Sequence, residues 1–107
     1  MNSKLVRNLI PIIFSKEKKE DGSQRVAQYY RANDREYWIK LKEKLLEEAM
    51  EFIDSEETVE LADILEVIEA ITIYKKISSE DLVTIKNNKA KSHGTFSEKI
   101  ILSFIDD

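Results

Sequence analysis

"LLEEAMEF", residues 45–52, is the stretch on which the reading of this chain turns. As a helix it places Leu45, Glu48 and Phe52 at spacings of three and four, on one face. Apolar residues at that period mark the side turned toward a core. A glutamate within the stripe, with Glu47 and Glu51 close by, therefore needs a reason.

Working outward, Asn33 and Glu36 have the spacing of a capping box, so the helix opens there and runs to about Ile53. Its apolar stripe is Trp38, Leu41, Leu45, Ala49 and Phe52. "DSEE" (54–57) breaks the pattern, and Ser55 is placed to cap a second helix over about 56–77. That helix is apolar around most of its circumference, with Leu61, Ile64, Leu65, Val67, Ile68 and Ile71, as in a helix central to its domain or covered by another subunit. The short connection predicts that the two helices lie antiparallel. "ISSEDL" (77–82) supplies a cap at Ser78 for a third helix reaching about Lys91, and Gly94 in "SHGTF" ends it. The flanks are less regular. In "KLVRNLIPIIF" (4–14) Pro11 interrupts any long helix, and "SKEKKEDGSQ" (15–24) is a polar loop. "RVAQYYRA" (25–32) fits a short strand or a turn of helix, and "EKIILSFI" (98–105) a strand or a docked apolar segment.

The chain has 107 residues, enough for one modest core, and we expect a single domain over 1–107. Apolar residues make up 42% and charged residues 36%, which suits a folded chain with a densely charged surface. Two glycines and one proline leave few tight turns and favour long helices. Without cysteine there is neither a disulfide framework nor a thiolate metal site, which fits the cytoplasm. No apolar run is long enough for a signal peptide or a membrane span, so a soluble protein is expected.

The net charge of −4 conceals an uneven layout. Residues 1–44 carry eleven Lys/Arg against six Asp/Glu, residues 45–85 two against twelve, and residues 86–107 four against three. The acidic middle repels itself unless a cation joins it, and it argues against nucleic acid as the main partner. The basic ends suit a phosphate-bearing ligand, or simply balance the middle.

At about 100° per residue, Glu48 and Glu51 stand about 60° apart on their helix, as do Glu60 and Asp63 on the next. Both pairs border the apolar faces expected to meet. In so charged a chain one Glu-x-x-Glu is ordinarily a solvated face. Two such pairs beside the stripes also suit a hard divalent cation bound by carboxylate oxygen. Residues 45–74 contain no Lys or Arg to neutralise them instead.

"LLEEAME" followed by "ELADILEVIEAI" resembles the Glu-Glu-x-x-Glu … Glu-x-x-Asp signature of the MazG-like all-α nucleoside triphosphate pyrophosphohydrolases, a superfamily that includes phosphoribosyl-ATP pyrophosphohydrolase. "KLVRNLIP" is similar to the Lys-Leu-Val-Arg-Asp-Lys-Ile-Pro lead of a small single-domain branch, and "KNNKAKSHGTF" to that branch's closing Lys-Ala-Glu-Lys-Arg-Gly-Gly-Phe. The resemblance implies that Glu48, Glu51, Glu60 and Asp63 ligate Mg²⁺, with Mn²⁺ as an alternative ion. It implies that Glu47 completes the shell or orients the attacking water. It further implies that Lys4, Arg7 and Lys89 meet phosphates, and that an NTP-like nucleotide is cleaved between its α- and β-phosphates. Asn8, Leu9 and Thr95 depart from the branch pattern, and His93 stands where the branch has Arg. Trp38, Tyr29, Tyr30, Tyr37 and Tyr74 suit a core or a base-stacking surface.

The resulting expectation is an all-α protein: an antiparallel helical hairpin plus a third helix, completing a four-helix core as a homodimer or higher homo-oligomer. Its expected activity is Mg²⁺-dependent nucleotide pyrophosphohydrolysis. The alternative is a weakly active or inactive helical scaffold that keeps the fold.

Overall fold

Asn33 opens the longest helix as expected: its side-chain oxygen accepts from the Glu36 backbone N–H at 2.9 Å. The computed structural model describes residues 3–106, and all regular secondary structure among them is helical: α1 (Ile10–Lys16), α2 (Asp34–Ser55), α3 (Thr58–Tyr74) and α4 (Ser79–His93). The described chain divides into two compact units, one ending at Ile71 and the other beginning at Thr72.

In the first unit, α2 runs two residues past the expected Ile53 and stops at Glu56, whose positive φ of 59° closes the helix through an N–H bond to the Phe52 carbonyl. Ser55 is the last residue of α2, so it does not cap α3. Its hydroxyl accepts from the Glu57 N–H at 3.2 Å, just ahead of the first turn of α3. The stripe on α2 centres on Leu41, 1% exposed, with Trp38, Leu45, Ala49 and Phe52 half-buried. On α3, Val67 is the buried apolar residue. The Leu61 and Leu65 side chains remain exposed.

The lead is more ordered than the sequence implies. As Pro11 implies, no long helix forms in the lead: Pro11 stands in the first turn of the short α1, where it gives up an N–H that has no intrahelical partner anyway. Ser15 and Lys16 close α1, so the expected 15–24 loop begins only at Glu17; it turns through Gly22 at φ 86°, with one antiparallel bridge pairing Lys18 and Gln24. Residues 25–33 are neither strand nor helix, and Tyr29 and Tyr30 are exposed rather than core, the Tyr30 hydroxyl donating to Glu36 at 2.7 Å.

In the second unit the caps fall where expected. The Ser78 hydroxyl accepts from the Asp81 N–H at 3.0 Å, and the Gly94 N–H donates to the Ala90 carbonyl at 2.8 Å. The apolar tail forms no strand, and Ile100, Ile101, Leu102, Phe104 and Ile105 are exposed. Among the described residues no helix is long and apolar enough to cross a membrane.

Candidate functional site

Glu48 keeps its place in the α2 stripe between Leu41 and Phe52, and it is buried, at 7% exposure. Because α2 turns once every 3.6 residues, Glu47 and Glu51 flank it on the same helix. Glu47, Glu48 and Glu51 each bring a carboxylate oxygen within 4.8 Å of the others. Across to α3, Glu48, Glu60 and Asp63 do the same within the same limit. Glu48 belongs to both sets. All four expected ligands, together with Glu47, are thus drawn into one acidic region of the first unit.

This region is not left without cations, which corrects the expectation drawn from residues 45–74. Lys44 lies one residue before that window, and its Nζ sits 3.3 Å from Glu47 Oε2 and 3.3 Å from Glu48 Oε1. Two further cations come from the lead. Arg7 Nη2 donates to Asp63 Oδ1 at 2.8 Å, and Arg7 Nη1 is 3.9 Å from Glu66 Oε1. Lys4 Nζ lies 3.5 Å from Glu47 Oε1. Lys4 and Arg7, expected to meet phosphates, therefore rest on the carboxylates themselves. Lys89 belongs to α4 in the second unit and is exposed there, its backbone carbonyl accepting from the Ser92 hydroxyl. His93 is exposed in the last turn of α4, where its Nδ1 pairs with the Ser92 hydroxyl at 2.6 Å.

The cations do not satisfy the whole cluster. Glu48 Oε2 is buried and has no hydrogen-bond partner among the described residues. A buried acceptor without a donor is costly, the more so on a charged group. Burial pushes the Glu48 carboxyl above the usual glutamate range, the adjacent Glu51 carboxyl pushes the same way, and Lys44 opposes both without prevailing. Burial of Lys44 works to lower its pKa, but its bonds to Glu47 and Glu48 outweigh that and the net shift is upward.

A divalent cation fits this arrangement on two counts. The donors are all carboxylate oxygens, the ligand type that hard cations such as Mg²⁺ prefer. The unpartnered Oε2 belongs to the one residue shared by both sets. Beside the carboxylates lies a cavity of about 220 Å³, its apolar wall including Leu5, Leu41 and Val67 and its charged side Arg7, Lys44 and Asp63. The half-buried Tyr37 also lines it, and Trp38 sits outside that lining with Lys42 over its ring.

Two participants escaped the reading of the acidic motifs. Lys44 was legible, since it precedes Glu47 and Glu48 by three and four residues, a spacing at which helical side chains meet. Glu66 carries the same signal three residues after Asp63. The approach of Arg7 to Asp63 spans 56 positions and leaves no local signal. No protein-family model matches this chain, and no match was found among curated proteins or among solved structures.

Proposed function

We propose that this chain is a Mg²⁺-dependent nucleotide pyrophosphohydrolase acting between the α- and β-phosphates of an NTP-like substrate. The observation that carries the reading is the buried, unpartnered Glu48 Oε2 at the junction of two carboxylate sets on consecutive helices. Glu48, Glu51, Glu60 and Asp63 would hold the ion. A bound Mg²⁺ supplies charge stabilisation for phosphoryl oxygens and lowers the pKa of water. Glu47, half-buried and already on the rim of the cluster, would accept a hydrogen bond from the attacking water and orient it. Lys4 and Arg7, exposed cations next to the cluster, would bind the phosphate chain. The phosphate role of Lys89 rests on the sequence resemblance alone.

In this reading α2 and α3 form an antiparallel hairpin. Support comes from the two-residue link between them and from the approach of Glu60 and Asp63 to Glu48. A homodimer would complete a four-helix core. Leu46, Met50 and Ile53 on α2, and Leu61 and Leu65 on α3, stand 45% to 73% exposed. Covering each such side chain is worth about 1–2 kcal/mol, which favours a second copy over water.

A second reading, a helical scaffold without turnover, is favoured by the ion pairs from Lys4, Arg7 and Lys44, which already balance part of the acidic charge. Pyrophosphate release across a panel of canonical and modified nucleoside triphosphates and phosphoribosyl-ATP, with Mg²⁺ and with EDTA, separates the two. Release that needs the metal supports the enzyme. Silence on every substrate, with no Mg²⁺-dependent nucleotide binding, supports the scaffold.

A further inference from the structure

Among the described residues three cations touch the acidic cluster, and they are not equivalent. Lys44 is built into α2, its side chain is 17% exposed, and helix geometry holds its amine over Glu47 and Glu48. Lys4 is 63% exposed and stands 3.5 Å from Glu47. Of the three, Arg7 alone donates to an expected ligand of α3, at 2.8 Å, with a side chain 55% exposed. Its backbone is held nearby by neighbours on either side. The Ser3 carbonyl accepts from Lys40 Nζ at 3.0 Å, the half-buried Leu5 lines the cavity wall, and the Arg7 carbonyl accepts from the Ile10 N–H at the start of α1.

A dication held by Asp63 would stand next to this guanidinium. The dication draws charge from the Asp63 carboxylate and adds its own beside the guanidinium, which weakens an exposed ion pair worth only about 0.2–1 kcal/mol. The guanidinium has somewhere to go. Glu66 lies one turn further along α3, belongs to neither carboxylate set, and already has an oxygen 3.9 Å from Arg7 Nη1. A rotation of the side chain carries the charge from Asp63 to Glu66 while the lead stays anchored.

We propose that Arg7 is an exchangeable counter-ion, holding Asp63 while the metal site is empty and moving to Glu66 when a divalent cation takes Asp63. This rests on the metal reading above and adds a cost to loading the site. Metal binding thereby shifts Arg7 from Asp63 to Glu66, from where it would reach the phosphates of a bound nucleotide. A residue that merely binds phosphate does not oppose the metal. Arg7 does.

The test is a Mg²⁺ titration of the full chain without nucleotide, followed by calorimetry and by the side-chain Nε–H resonance of Arg7, assigned from its loss in Arg7→Lys. In the wild type that resonance shifts with the same midpoint as the binding heat. Arg7→Gln binds Mg²⁺ roughly 1.5- to 5-fold more tightly, the range of an exposed ion pair removed from competition. Arg35→Gln makes the same change of net charge about 20 Å from Glu48 along α2, and it leaves the affinity unchanged. Binding heat without a shift of the Arg7 resonance overturns the exchange while leaving the metal site standing. So does unchanged or weaker binding by Arg7→Gln, or an equal gain in Arg35→Gln. Absence of binding heat in the wild type overturns both the exchange and the metal reading. The circular dichroism of Arg7→Gln should match the wild type, since the side chain is exposed and caps no helix.

Discussion

Replacing Glu48 by glutamine should stabilise the metal-free protein and abolish its stabilisation by Mg²⁺. Glutamine keeps the shape of the side chain, puts an amide donor within reach of the Glu51 carboxylate, and removes a buried charge whose Oε2 has no partner among the described residues. Lys44 loses one carboxylate but keeps Glu47 at 3.3 Å. Relief of an unsatisfied buried polar group is worth about 1–3 kcal/mol, and loss of the Lys44 pair subtracts up to about 1 kcal/mol. A net gain of about 1 kcal/mol corresponds to a rise of about 4–8 °C in Tm for a domain near this size. In saturating Mg²⁺ the order should reverse. At about 100 times its Kd the ion adds about 2.7 kcal/mol to the wild type and nothing to the variant. The assay is thermal unfolding of both proteins in EDTA and across a Mg²⁺ series, with the two curves of Tm crossing. A variant less stable than wild type in EDTA would show that the Glu48–Lys44 pair needs no further cation. That result, or a wild-type Tm indifferent to Mg²⁺, refutes the reasoning.

Further expectations follow from the same contacts. The folded Glu48 carboxyl keeps its proton above the usual glutamate range. Its favourable contribution is therefore complete below the unfolded value and is lost as pH rises through the raised folded value. Wild-type stability in EDTA should fall relative to Glu48→Gln over that interval, and parallel urea midpoints for the two proteins would contradict the shift. Leu41→Ala, at the most buried side chain of α2, should cost about 2–5 kcal/mol in urea unfolding, whereas a cost below about 1 kcal/mol would remove it from the core. Leu65→Asp, on the exposed side of α3, should shift the assembly to monomer in light scattering if that face meets a second copy. A wild type already monomeric at micromolar concentration would dispose of the dimer.

What the sequence discloses about this fold is what local chemistry determines. Asn33 with Glu36, Ser78 with Asp81, and Gly94 each act within one helical turn, so the helix ends they set can be read from spacing alone. The acidic pairs are legible for the same reason, since three-residue spacing puts Glu48 beside Glu51 and Glu60 beside Asp63. Pro11 forbids a long helix through the lead, but the same ring is tolerated in a first turn, so the short α1 that starts beside it is not legible. Ser55 is a good cap residue in the wrong place, because Glu56 takes the left-handed conformation and ends α2 first. The tail is apolar like a strand or a docked segment, but hydrophobicity without a pairing partner forms neither. The cations on the cluster divide the same way: Lys44 can be found by helical spacing, while Arg7 reaches Asp63 only through the path of the lead in three dimensions.

Metal-dependent turnover is tested by pyrophosphate release from the wild type and Asp63→Asn side by side, over the nucleotide panel in Mg²⁺ and in EDTA. The wild type should release pyrophosphate in Mg²⁺ and not in EDTA, and Asp63→Asn in neither, with the helical signal of the variant unchanged. Equal release by the two proteins, or release that survives EDTA, would contradict that expectation.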